Sequence, residues 1–349
     1  MIDIDKICIY LPDFSIENIS FTIAKGEYHV LLGPSGSGKT LILNAIAGLK
    51  SINAGQIIYK GNNITKLAPN KRNIPFLFQD LALFPHLNVF DNIAFPLNIK
   101  KINKKVIEQR VDDLLDFVGI TALKNRRIDK LSGGEKQRVA IARCLILESE
   151  VILLDEPFSA IDTQLLLELK KLLKKISSSG VTVVHVTHNF EEAVNLADKI
   201  TVIDKGRIIQ SGLTEQVFNN PANSFIAAFS GKRNYFACKN YFVSDGNYFV
   251  QLVNDVILEI PQVNEKISGI IIDSSHIILS ETKIISSARN SFSGTIKSFF
   301  KSFSGYDIEV DIGISLWISI TSHSYSELNI EKNKCVWISF KASAIKIIC

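Results

Sequence analysis

The chain has 349 residues, 39 Lys+Arg against 35 Asp+Glu and a hydrophobic fraction of 46%, a length that predicts roughly two domains, each able to bury its own core. A net charge of +4 with its signs interspersed excludes a nucleic-acid partner bound by blanket phosphate neutralisation. Mean hydropathy is +0.19, yet every apolar run is broken by a charge or a turn residue before the roughly 18 residues that a spanning helix needs. The start, Met1-Ile2-Asp3-Ile4-Asp5-Lys6, lacks the basic and apolar regions of a secretory signal, so a cytosolic protein is expected. Five cysteines, scattered and with no C-x-x-C pair, predict buried thiols and neither disulfides nor a metal site.

The first chemically informative segment is Gly33-Pro34-Ser35-Gly36-Ser37-Gly38-Lys39-Thr40, which fits G-x-x-x-x-G-K-[ST]. It follows the β-like run Tyr28 to Leu32 and precedes a helical pattern over Leu41 to Ala47, the strand, loop and helix order that a phosphate loop requires. Its glycines let backbone N–H groups turn toward phosphate oxygens, and the helix start adds partial positive charge. Lys39 is expected at the β/γ-phosphates of a bound polyphosphate and the Thr40 hydroxyl on Mg2+. A second β-like run, Ile74 to Phe78, is followed by Gln79. Leu81 to Phe90 is then too apolar, and too interrupted by Pro85, for a solvated loop or an ordinary helix.

Leu131-Ser132-Gly133-Gly134-Glu135 precedes a clean helix carrying Val139, Ile141, Ala142, Leu145 and Ile146 at helical spacing, a second helix start suited to an anion. Val151-Ile152-Leu153-Leu154-Asp155-Glu156 is a continuous apolar run ending in two acids, as for a parallel strand buried on both faces. Both acids would then project where open α/β sheets bind ligands. Asp155 is expected to hold Mg2+ through water, and Glu156 to polarise the attacking water.

Residues 1–230 alternate strand and helix patterns, whereas 231–349 are dominated by period-two runs. An α/β domain followed by an all-β domain is predicted, with the boundary after Pro221 to Gly231. The second part repeats itself: Arg233-Asn234-Tyr235-Phe236 recurs as Arg289-Asn290-Ser291-Phe292. Apolar-rich segments, Gly269 to Leu279 and Val336 to Ile348, close the two copies. A duplicated small β-barrel produces such a pattern.

Taken in order, the motifs of the first part resemble those of the ATPase subunits of ABC transporters. The resemblance implies a head-to-tail homodimer in which Ser132, Gly133, Gly134 and Glu135 of one protomer close over ATP held by the other's phosphate loop. It makes Gln79 the lid glutamine that joins Mg2+ and the attacking water, Asp162 the residue linking the two sites, and His188 the switch histidine at the γ-phosphate. Tyr10 becomes the residue that stacks on adenine, with Phe14 as competitor, and His185 is given no catalytic role. Small departures, Lys136 after the signature and Asn189 after His188, remove no catalytic group. In this family the region Leu81 to Phe90 receives a cytoplasmic helix of the membrane permease.

Ser286-Ser287-Ala288-Arg289-Asn290, Ile320 to Ser324 and Phe340-Lys341-Ala342-Ser343-Ala344 resemble the molbindin (Mop) fold, an OB-like double barrel. The fold class implied is a P-loop ABC ATPase domain, 1–230, followed by a regulatory oxyanion-binding domain, 231–349. Hydroxyls, N–H groups and cations can hold a tetrahedral dianion without a metal, and Ser287, Arg289, Lys341 and Ser343 are the expected ligands of molybdate or tungstate. The implied machine is a peripheral homodimer on the cytoplasmic face of the membrane, under a permease dimer and served indirectly by an extracytoplasmic oxyanion-binding protein. The alternatives are an ATPase of a sulfate, polyamine or sugar importer, or a non-transport ABC ATPase.

Overall fold

The computed structural model describes residues 1–349 except 160–162, 230, 264–266, 303–304 and 349, with the backbone alone at 163 and 164. Two compact units divide the chain, Met1–Val217 and Phe218–Cys349.

In the first unit β1 (Ile2–Tyr10) and β2 (Ser15–Ile23) lead to β3 (Tyr28–Leu32), α1 (Lys39–Ala47), β4 (Ala54–Tyr59), β5 (Asn62–Asn63), α2 (Pro69–Arg72) and β6 (Phe76–Leu77). Next come α3 (Val89–Ile99), α4 (Lys104–Phe117), α5 (Gly133–Leu145), β7 (Val151–Asp155), α6 (Thr163–Ser178), β8 (Thr182–Thr187), α7 (Phe190–Leu196), β9 (Lys199–Asp204) and β10 (Arg207–Leu213). Two sheets result. One is antiparallel, in the order β2-β1-β4-β5; the other runs β10-β9-β3-β8-β7-β6, parallel throughout except for β10 on β9.

Hydropathy explains the division of labour. Ile16, Ile19, Phe21 and Ile23 of β2 are buried while Asn18, Ser20 and Thr22 between them are exposed or half-buried, the alternation of a sheet with one wet face. Every residue of β3, β7 and β8 is buried, as in a parallel sheet covered on both faces, the polar His29 and His185 among them included. Helix α1 lies in the core between the sheets: Ile42, Leu43 and Ile46 share one cluster with Ile4 and Ile9 of β1 and with Leu31, Leu153 and Val184 of the parallel strands. The phosphate-loop helix is thereby held from both sides.

The end of α1 is secured by Arg72. Its guanidinium donates to the last-turn carbonyls of Ala45 and Ile46 at 2.7 and 2.8 Å, and to Leu67 and Thr65 at 2.9 Å. A buried cation at a helix C-terminus complements the negative end of the helix dipole. The strand before Gln79 is shorter than the β-like run predicts: β6 is only Phe76–Leu77, because Phe78 onward leaves the sheet.

The second unit opens within α8 (Thr214–Asn219) and continues through α9 (Ser224–Phe229) into strands β11 (Tyr235–Ala237), β12 (Asn240–Ser244), β13 (Asn247–Gln251), β14 (Ile257–Ile260), β15 (Gly269–Ile272) and β16 (Ile278–Ser280). It ends with β17 (Asn290–Lys301), β18 (Tyr306–Asp311), β19 (Ser315–Ile320), α10 (Ser322–Glu327), β20 (Cys335–Phe340) and β21 (Ile345–Ile348). The sheets are β11-β15-β21, β12-β13-β14 and β16-β20-β17-β18-β19. Beyond the two entry helices and α10, the described residues of this unit form strands and single 3₁₀ turns.

The repeat has a structural meaning. β11 pairs with β15 as β17 pairs with β20: Phe236 faces Ile270 and Phe292 faces Ile338. The closing strands are exchanged, β15 with β21 and β20 with β16, in matching register, so that Ile271 faces Lys346 and Ser339 faces Ile278. The repeated asparagines clamp opposite halves. Asn234 donates to Trp317 O at 2.7 Å and accepts from Trp317 N–H at 2.6 Å; Asn290 donates to Glu259 O at 2.9 Å and accepts from Glu259 N–H at 2.8 Å. Both asparagines are buried, and each such bond contributes about 1 kcal/mol net, whereas a buried partner left unpaired costs about 1–3 kcal/mol. A single core cluster joins Val250, Leu258 and Ile270 of one half to Ile308, Leu316 and Ile338 of the other.

Candidate functional site

β3 delivers the chain into Gly33–Thr40 at the carboxyl end of the parallel sheet. Gly36 and Gly38 carry left-handed φ values of +78° and +103°, and a Cβ on Gly38 would lie 3.1 Å from the Phe14 ring. A side chain is disfavoured there on both counts. Pro34, Ser35 and Gly36 form the outer arc of the loop, while Ser37 is buried and its carbonyl accepts from Gly206 N–H at 3.1 Å. The Lys39 amino group curls under the loop, donating to Gly33 O at 2.9 Å and Pro34 O at 2.8 Å. Burial pushes its pKa down, against the opposing pull of Glu156 and Asp155. A cation is thus held where loop N–H groups and a helix start converge, an arrangement that fits a polyphosphate.

The Thr40 hydroxyl donates to Asp155 Oδ1 at 2.9 Å. Two hard oxygen donors side by side, one anionic, suit Mg2+, which keeps several waters and takes few protein ligands. Burial raises the Asp155 pKa, with the Thr40 hydrogen bond opposing, and a cation at this point would favour the ionised carboxylate.

Glu156, the next residue, adopts a left-handed φ of +44° while its N–H donates to Val186 O at 2.9 Å. That combination turns its side chain out of the strand direction, and strained backbone at such a place is held by the surrounding sheet. His188 Nδ1 lies 3.1 Å from Glu156 Oε1. Lys39, Thr40, Asp155, Glu156 and His188 therefore meet at one sheet end. A half-buried carboxylate beside an imidazole can accept a proton from water and keep that water in line with a phosphate. Gln79 is exposed, two residues beyond β6, and β6 runs parallel to β7 in the register Leu77 to Leu154, which brings Gln79 out at the end that carries Asp155.

Behind His188 lies a hydrogen-bonded support that motif reading does not reveal. Thr187 Oγ1 donates to Glu192 Oε2 at 2.5 Å and accepts from Asn189 N–H at 3.0 Å. Asn189 caps α7 through the N–H groups of Glu191 and Glu192. An asparagine followed by two acids in a first helical turn is a capping pattern, and it is the available sequence signal for Glu192. His185 is fully buried between Tyr28 and Phe158, its Nδ1 3.0 Å from Tyr28 OH. Burial lowers its pKa to about 3, so it stays neutral and structural.

The Leu131-Ser132-Gly133-Gly134-Glu135 segment forms a complete capping box. Glu135 N–H donates to Ser132 Oγ at 3.3 Å, and the Glu135 carboxylate accepts from Ser132 N–H at 2.7 Å, which holds the Glu135 pKa below the ordinary range. Gly134 is a packing residue: a Cβ there would overlap Leu165 of α6. Gly133 faces open space, with nothing within 4 Å of the point where a Cβ would stand. Gln137 of the same helix donates to Pro157 O, just beyond the acidic pair, so the signature helix is tied to the Asp155–Glu156 segment. Asp162 lies outside the described residues. Tyr10 ends β1 with its side chain exposed, whereas the Phe14 ring packs against Gly38 of the phosphate loop.

The apolar segment after Gln79 lines a groove of about 320 Å³ with Phe76, Phe78, Phe84, Phe95, Pro96 and Arg143 among its walls. Arg143 donates to Leu81 O at 2.7 Å and Ala82 O at 2.8 Å, two residues with φ of +62° and +44°. A single guanidinium of the signature helix α5 therefore fixes the turn after the lid residue. In the second unit, Ser287, Lys341 and Ser343 line one cavity of about 330 Å³ together with His276 and Phe340. Arg289 is not among its walls; its Nε lies 3.9 Å from Glu259 Oε1, the residue clamped by Asn290, and that carboxylate is its counter-charge. Among the described residues no group of three His, Cys, Asp or Glu is arranged to hold a metal ion, and no helix is long and apolar enough to cross a membrane.

Residues 16–159 match the ABC transporter family. The molybdate/tungstate import ATP-binding protein WtpC of Pyrococcus abyssi is 39% identical over 352 residues, covering 99% of this chain and 100% of the relative. The spermidine/putrescine import ATP-binding protein PotA of Borrelia garinii is 38% identical over 306 residues, covering 87% of this chain and 86% of the relative. Among solved structures, an ATP-binding cassette in a dimeric, post-hydrolysis state with ADP and phosphate superposes with a TM-score of 0.56 at 29% identity, covering 61% of this chain and 99% of that one. An alignment that runs the length of both units at such identity makes the chain a member of the ABC importer ATP-binding subunits.

Proposed function

We propose that this chain is the ATP-hydrolysing motor of a molybdate or tungstate importer, and that its second unit senses the same oxyanion. The observation that carries the substrate class is the full-length similarity to a molybdate/tungstate import subunit, together with a cavity that gathers Ser287, Lys341 and Ser343. The interlocked duplication supports the reading of the second unit as an OB-like Mop double barrel. The functional division falls at 230/231, with α8 and α9 serving as the cassette's exit, while the compact units divide earlier, at Val217.

Lys39 and the loop N–H groups bind the β- and γ-phosphates and fix their orientation, and Tyr10 or Phe14 supports the adenine. Thr40, Asp155 and Gln79 would hold Mg2+, which supplies positive charge to the phosphate oxygens and to the leaving group. Glu156 takes the proton of the attacking water at its carboxylate, with His188 holding the γ-phosphate oxygens and the Glu156 side chain in one geometry. The capping-box segment Ser132 to Glu135 of a partner protomer closes over this nucleotide, and Asp162 links the two sites. That the similar solved cassette is a dimer with ADP and phosphate supports this assembly.

The groove walled by Phe78, Phe84 and Phe95 suits a cytoplasmic helix of a permease subunit: it is apolar, open, and bounded by Arg143, which ties the lid turn to α5. Closure of the ATPase pair then moves the permease between its inward and outward states. The subunit would lie on the cytoplasmic face of the membrane, under a permease dimer supplied by an extracytoplasmic binding protein. Oxyanion bound to the second unit lowers uptake by preferring the separated ATPase pair.

Calorimetric titration of the full chain with molybdate, tungstate, sulfate and spermidine tests the substrate class. Molybdate and tungstate are expected to bind at least about tenfold tighter than sulfate, a difference of about 1.4 kcal/mol. Binding of spermidine without binding of either oxyanion would overturn the reading in favour of a polyamine importer.

A further inference from the structure

The exchanged strands of the second unit build two cavities of matching design. One, about 330 Å³, is lined by Ser287 and Lys341; the other, about 680 Å³, is lined by Lys232, Arg233, Asp273 and Lys346, and Ser343 and His276 stand in the wall that the two share. The registers say which residues correspond. Ser339 pairs with Ile278 as Ile271 pairs with Lys346, and two residues further on stand Lys341 and Asp273. Each heads a short 3₁₀ turn, Ala342–Ala344 or Ser274–His276, whose middle residue is a serine, Ser343 or Ser275. Upstream, Ser287 precedes Arg289 by two residues as Gly231 precedes Arg233.

Two ligands of the first cavity are thus altered in the second. The hydroxyl of Ser287 has no counterpart on Gly231, and the cation of Lys341 is replaced by the carboxylate of Asp273. That carboxylate is itself bound: Asp273 Oδ1 accepts from Ser275 N–H at 2.9 Å and from Ser275 Oγ at 2.7 Å. These bonds hold its pKa below the ordinary carboxylate range, so the group is an anion near neutral pH. The cations nearby are engaged. Arg233 lies 3.3 Å from Asp307 and stacks on Trp317 at 4.7 Å; Lys346 donates to Asn219 O at 2.7 Å and Lys232 to Phe218 O. A dianion entering here meets fixed negative charge at the position where the other half offers an ammonium.

We propose that only the Lys341 cavity takes a tetrahedral dianion, and that Asp273 is the specificity-determining residue that closes the matching cavity to anions, so that the duplicated unit binds one oxyanion per chain. This rests on the reading of the second unit as an oxyanion site. Its test is the stoichiometry of molybdate binding to the full chain, in the unaltered protein, in Lys341→Ala and in Asp273→Asn, which keeps the turn's acceptor and removes the charge. One equivalent is expected for the unaltered protein, an affinity at least about tenfold weaker for Lys341→Ala, and a second, weaker equivalent for Asp273→Asn. Two equivalents in the unaltered protein, unchanged affinity in Lys341→Ala, or a single equivalent in Asp273→Asn would each overturn the proposal while leaving the oxyanion reading in place. No binding by the unaltered protein would overturn that reading, and the proposal with it.

Discussion

Replacing Glu156 by Gln lowers the steady-state ATPase rate by about 10²–10⁴-fold, the range for loss of a general base, and leaves ATP binding intact. The amide is nearly isosteric, so the left-handed turn at Glu156 and its backbone bond to Val186 survive. What disappears is the proton acceptor facing His188 at 3.1 Å. Nucleotide-bound dimers should accumulate, because binding and closure precede the proton transfer. Measured by phosphate release and by ATP-dependent dimerisation on size exclusion, retained turnover would remove Glu156 from the base role.

Replacing Lys39 by Ala acts at a different step. The Lys39 ammonium is buried beneath the loop and bonded to Gly33 O and Pro34 O, so its loss unties the loop and would also remove the proposed phosphate ligand. ATP affinity should fall at least about tenfold, and the rate by about 10²–10³-fold, as for a lost group that stabilises developing charge. The dimer that Glu156→Gln accumulates should be absent. Equilibrium binding of a fluorescent ATP analogue separates the two variants; unchanged affinity in Lys39→Ala would contradict the role given to Lys39.

Much of this site is legible in the sequence because it is local. Strand, loop and helix around Lys39 are contiguous in the chain, and Asp155 and Glu156 end a run whose apolarity already implies a buried parallel strand. His188 follows the β-like run Val181 to Thr187, and its role comes from the family resemblance. The residues that are not legible act through tertiary contact. Arg143 sits in an ordinary helical pattern, and only the fold shows it bonded to Leu81 and Ala82. Phe95 and Pro96 complete a groove that the chain approaches first through Phe76, Phe78 and Phe84. The resemblance prefers Tyr10 to Phe14 for the adenine; in the fold Tyr10 is exposed at the end of β1 and the Phe14 ring packs on Gly38.

The second unit shows the same limit. The Arg-Asn-x-Phe repeat marks a duplication, but each asparagine reaches a strand of the opposite half, and no spacing within one copy encodes that. Arg289, which the resemblance places beside Lys341 as a ligand, is not among the walls of the Lys341 cavity, and its Nε lies 3.9 Å from Glu259 Oε1.

Import by this subunit is tested most directly by ATP-driven uptake of molybdate and tungstate into proteoliposomes that contain this chain with a permease and the proposed binding protein. Oxyanion accumulation that requires ATP and is lost with Glu156→Gln is the expected result. Accumulation of spermidine or sulfate in place of either oxyanion, or oxyanion uptake that persists with Glu156→Gln, would contradict it.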